Sequence, residues 1–127
     1  MTRRYRIEPS VLVRLITDAY AHCVNRLSAL VAGGAEIFAS NQVIGEAFIA
    51  VRHHYGVAEV YARSELSKAL RSGLVAPMNR RVVIEALEAF SGAGLFDRLI
   101  ADDYTRHGLA VLTLDRKMAG LPDVRPL

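Results

Sequence analysis

The apolar residues of this chain arrive in short runs cut off by glycine or proline, and these runs alternate with stretches of helical periodicity. Leu109–Leu114 is the strongest strand candidate, bounded by Gly108 and Asp115. Arg3–Glu8 is a second, stopped by Pro9, with Tyr5 and Ile7 on one face. Glu36–Ala39 follows Gly33 and Gly34, Leu74–Ala76 closes at Pro77, and a last short strand is expected near Val124 before Pro126. Between them the spacing predicts helices over Val11–Ile16, Ala19–Ala32, Ser40–Tyr55, Ala58–Arg71, Arg80–Phe90 and Leu95–His107. Ser10 and Ser40 are candidate N-caps, and Gly56 and Gly108 candidate C-terminal stops. Helices alternating with strands that read as apolar on both faces are the signature of a covered parallel sheet. The expected fold is therefore α/β, a three-layer α/β/α sandwich around a short-stranded central parallel sheet.

At 127 residues the chain has room for one core, so residues 1–127 are read as a single domain. Runs without Lys, Arg, Asp or Glu reach only nine residues, in Leu27–Ala35 and Ile37–Gly45, too short for a membrane-spanning helix. Met1–Pro9 carries three arginines without the apolar run a secretory leader needs. Cys23 is the one cysteine, which rules out an intrachain disulfide and a cysteine-built zinc site. A cytoplasmic location and no membrane partner are the resulting expectations. A net charge of +3 permits a phosphate-bearing partner without demanding one. With no tryptophan and 7% aromatic residues, a base-stacking platform is not expected.

In parallel sheets, ligands bind outside the carboxyl ends of the strands. Four acids stand there or in the helices nearby. Glu8 closes the first strand, Glu46 lies in the second turn of the helix after the second, Asp97 opens the helix before the fourth, and Asp115 follows the fourth directly. Local geometry predicts that Glu8, Glu46 and Asp115 face one sheet edge. Carboxylates gathered in this way need a counter-ion, and a hard divalent cation, Mg2+ or Mn2+, suits their oxygens.

Three stretches, in order, carry a resemblance. Residues 95–127, LFDRLIADDYTRHGLAVLTLDRKMAGLPDVRPL, strongly resemble the C-terminal third of PIN domains: an aspartate opening a helix, a glycine, a strand ending in Thr-x-Asp, and a Leu-Pro-x-Val tail. Residues 7–16, IEPSVLVRLI, are similar to the family's first motif, and residues 41–57, NQVIGEAFIAVRHHYGV, to its second. The length resembles that of the VapC-like toxin branch. The resemblance implies that Glu8, Glu46, Asp97 and Asp115 are catalytic acids holding Mg2+ or Mn2+. It gives Ser10 and Thr113 supporting positions. The chain departs from the family at Glu8, where the family has aspartate, and at Pro9, where it has a small residue.

The implied function is a metal-dependent endoribonuclease, the toxin of a toxin–antitoxin pair, acting on RNA, forming a homodimer and silenced by a small antitoxin protein. Glu8 and Pro9 favour an alternative, a degenerate PIN-like binding module with weak or no nuclease activity. An unrelated phosphate- or nucleotide-binding module is disfavoured, because Gly33–Gly34 lack the Lys-Ser/Thr of a phosphate loop. Arg14, Arg98, Arg116 and Lys117 neighbour the acids and are candidates for phosphate binding. Asp102, Asp103, Glu85 and Glu88 are expected on solvated faces. His53 and His54 read as cations at a helix C-terminus, His22 and His107 as surface residues, and Cys23 as a small core residue.

Overall fold

The computed structural model describes residues 2–17 and 21–127. Its strands are short and parallel. β1 (Arg4–Arg6) pairs with β2 (Glu36–Ala39), and β2 pairs with β3 (Ala76–Pro77), with Tyr5 opposite Ile37 and Phe38 opposite Ala76. The single central sheet expected from the sequence is not observed: β4 (Val111–Thr113) and β5 (Val124–Pro126) form a separate parallel pair, with Val111 opposite Val124. Burial along β4 gives the physical reason. Val111 is buried, whereas Leu112 is 66% and Leu114 84% exposed, so this strand has one covered face, not two. Its cover is a small cluster of Ala101, Met118 and Val124, with Leu121 packed against it. The fold is thus α/β with short parallel strands in two small sheets.

Among the described residues six helices accompany these strands: α1 (Pro9–Leu15), α2 (Ala21–Ala32), α3 (Asn41–His54), α4 (Glu59–Arg71), α5 (Arg80–Glu88) and α6 (Leu95–Thr105). The expected start of α2 at Ala19 lies outside the described residues. Capping sets the helix ends. Ser40 caps α3 as expected, its Oγ accepting from the Val43 amide at 3.2 Å. Tyr55 ends α3 and Gly56 follows at φ 64°, a left-handed conformation that glycine adopts without a Cβ penalty. Ser10 does not cap α1. Glu8 does, its Oε1 accepting from the Ser10 amide at 3.1 Å, with Pro9 in the first turn where its missing N–H costs nothing. That role takes Glu8 out of β1, which ends at Arg6. Pro77 completes β3 instead of closing it, and the next amide, that of Met78, bonds to the Ala39 carbonyl at 3.0 Å.

The main core joins α1, α3, α4 and α5 through Leu12, Ile44, Leu66 and Leu87, all fully buried. Each contributes about 2 kcal/mol relative to an exposed position. A charged group, Arg63, is buried beside this core. Arg63 on α4 is 3% exposed and donates to the carbonyls of Ala89 (2.9 Å) and Ala86 (3.4 Å) at the end of α5, beneath the Phe90 ring. These bonds stop α5 at Glu88, short of the expected Phe90. Burial lowers the Arg63 guanidinium below its usual range, Glu59 opposes that shift and Arg98 adds to it. No helix among the described residues is long and apolar enough to cross a membrane.

Candidate functional site

Two of the four candidate acids share one local geometry. Glu8 stands two residues past β1 and Asp115 two residues past β4, and each turns a carboxylate oxygen back onto the backbone that follows. Asp115 Oδ1 accepts from the amides of Lys117 (2.7 Å) and Met118 (3.0 Å), fixing the 3-10 turn Met118–Gly120. Thr113 supports this turn, its Oγ1 accepting from the Asp115 amide at 3.0 Å. A short polar side chain that satisfies nearby amides is how a strand hands over to a turn.

Glu46 is exposed on α3, between the buried Gly45 and Ala47. Asp97 is half-buried in the first turn of α6, in a cleft of about 340 Å³ that it shares with Phe48, Ile49, Arg52 and His53 of α3. Gly45 lets α6 come this close, because a Cβ there would stand 2.8 Å from the Phe96 ring. The carboxylate chemistry of the four acids suits Mg2+ or Mn2+. Among the described residues, no three His, Cys, Asp or Glu side chains form a group that could hold a metal ion.

The basic candidates divide. Arg98 is committed to the loop before its own helix, donating from Nε to the Ala93 carbonyl and from Nη2 to the Ser91 carbonyl, each at 2.9 Å. Arg14, Arg116 and Lys117 are exposed and form no ion pair among the described residues. Ser10 is exposed beside its backbone contact with Glu8.

The structure assembles a polar cluster that the sequence reading missed. Asn41 opens α3 just past β2, Asn79 precedes α5 just past β3, and both reach Asp102 on α6. Asp102 was expected on a solvated face but is 5% exposed. Its Oδ2 accepts from Asn41 Nδ2 at 2.8 Å and lies 3.4 Å from Arg106 Nε, and its Oδ1 accepts from Asn79 Nδ2. Asn41 Nδ2 also bonds to the Leu99 carbonyl (3.1 Å) and Asp103 Oδ1 (3.0 Å), while its own Oδ1 is buried without a partner. Asp103 itself is exposed, as expected, and pairs with Arg106. The signal for burial was available: Leu95, Leu99 and Asp102 fall on one face at helical spacing.

Compared with known proteins, the sequence matches no protein-family model, no curated protein and no solved structure.

Proposed function

We propose that the chain is a PIN-like endoribonuclease dependent on Mg2+ or Mn2+, the toxin of a toxin–antitoxin pair, with Glu8, Glu46, Asp97 and Asp115 as its acids. The reading rests on the three ordered sequence stretches. The observation that supports it is the position of Glu8 and Asp115, each two residues beyond a parallel strand, where α/β proteins place ligand-binding groups. RNA as substrate, a small antitoxin as inhibitor, a homodimer and a PIN-like sandwich as the complete fold are parts of the same proposal. Glu8, Glu46, Asp97 and Asp115 would hold the ion, which would supply charge neutralisation at the scissile phosphate.

A second reading is favoured by the hydrogen bonds of the same two acids. Glu8 and Asp115 each serve as a local cap, a role that needs no ion, and this suits a degenerate PIN-like binding module. Cleavage of single-stranded RNA in millimolar Mn2+ separates the two. The nuclease reading expects activity in the parent, its loss in Asp97→Asn and Asp115→Asn, and a rise in melting temperature with Mn2+ that Asp97→Asn removes. Cleavage equal in parent and variants marks a contaminant and ends the nuclease reading. RNA binding without cleavage selects the module.

A further inference from the structure

A groove of about 520 Å³ runs between α5, α6 and the Leu121–Asp123 turn that leads into β5. Val82, Leu121 and Pro122 give it an apolar lining, and Glu85, Asp102 and Asp123 line it as well. Neither Glu85 nor Asp123 forms an ion pair among the described residues. Two guanidiniums also border the groove, and both are already engaged by other groups. Arg106 is paired with Asp102 and Asp103, and Arg98 is held by the Ser91 and Ala93 carbonyls. Three carboxylates line the groove against two guanidiniums, and with Asp102 paired to Arg106, Glu85 and Asp123 remain against Arg98 alone. The groove is thus locally acidic on a chain whose net charge is +3. Asp123 holds its place at φ 58°, in a left-handed conformation that aspartate and asparagine tolerate better than other side chains.

We propose that this groove docks a basic, otherwise apolar segment of a partner polypeptide. An arginine or lysine of that segment lays its aliphatic stem along Val82, Leu121 and Pro122 and sets its charge against Glu85 and Asp123. Long basic side chains combine an apolar stem with a charged tip in just this proportion. A nucleic acid is the poorer occupant, because its phosphates would face unpaired carboxylates. The inference stands apart from the nuclease reading, since none of the four proposed metal-binding acids lines the groove.

Fluorescence anisotropy with a labelled peptide, Gly-Ser-Leu-Arg-Leu-Ser-Gly, tests it on the full chain. The control peptide carries citrulline, a neutral isostere, in place of arginine. The arginine peptide is expected to bind about tenfold more tightly at low salt, with the difference shrinking as salt rises. The double variant Glu85→Gln, Asp123→Asn should abolish the difference. Both side chains are exposed, and asparagine tolerates the backbone of position 123, so the fold is retained. Equal affinity for the two peptides overturns the proposal without recourse to any variant. So does a preference for arginine that survives in the double variant, or displacement of the arginine peptide by a single-stranded RNA oligonucleotide.

Discussion

Asp102→Ala is the substitution that most directly tests how α3, α5 and α6 are held together. Asp102 is buried, and it accepts from Asn41 and Asn79 while facing Arg106. A hydrogen bond to a charged group contributes about 1.5–3 kcal/mol, and removing this acceptor costs two of them. Two features reduce the loss. Asn41 keeps the Leu99 carbonyl and Asp103, and Arg106, whose side chain is 32% exposed, keeps Asp103 and water. The net expectation is about 3 kcal/mol, a drop of about 10 °C in melting temperature for a chain of this size. Urea unfolding followed by circular dichroism would measure it, with an unchanged slope showing that the native state keeps its compactness. Asp103→Ala is the internal control: its side chain is 50% exposed, and its loss should cost about 0.5 kcal/mol. A cost below about 1 kcal/mol for Asp102→Ala, or equal costs for the two aspartates, would refute the idea that burial gives this cluster its strength.

Arg63→Ala should cost about 2–3 kcal/mol in urea unfolding, because it removes the side-chain donor to the Ala89 carbonyl and leaves the Ala86 carbonyl with the Ala89 amide alone, and Arg63→Lys should recover only part of this, since an ammonium lacks the guanidinium fork. Gly45→Ala should cost about 1–2 kcal/mol, the new methyl forcing the Phe96 ring aside, and should perturb the α3–α6 cleft around Asp97 in a heteronuclear NMR spectrum. Glu88 titrates below the ordinary glutamate value, chiefly because it accepts from Arg71 at 2.6 Å and then from Ser67 at 2.9 Å. Its folded value lies below its unfolded one, so its contribution is present at neutral pH and lost as pH falls through the folded value. The urea midpoint followed from about pH 7 to about pH 3 should therefore fall less steeply in Glu88→Gln than in the parent.

What could be read from the sequence was whatever local chemistry decides. Ser40 as a cap, Gly56 as a stop and the apolar spacing of α3 and α4 concern neighbours within a turn or two, and the structure has them. Errors arise where two local signals compete. Ser10 and Glu8 could both cap α1, and Glu8 takes the role because Pro9 occupies the first turn between them. The larger misses are non-local. Nothing near residue 41 announces that an asparagine there meets Asp102, 61 positions away. Nothing in the run Leu109–Leu114 tells a strand covered on one face from one covered on two.

That last distinction bears on the candidate site. The expectation that Glu8, Glu46 and Asp115 face one edge assumed one sheet, and strand-end logic carries a residue only as far as its own sheet extends. Glu8 is oriented by β1 and the start of α1, Asp115 by β4 and the turn into Met118–Gly120, and no ladder joins β1 to β4. Capping itself does not prevent these carboxylates from serving a second partner. Among the described residues each accepts through one of its two oxygens, Oε1 in Glu8 and Oδ1 in Asp115, and a carboxylate has about four acceptor sites. A capped carboxylate is also held in place already, so binding through its free oxygen would forfeit little side-chain freedom. Whether these acids can act together is therefore governed less by their own hydrogen bonds than by the relation between the two sheets that carry them.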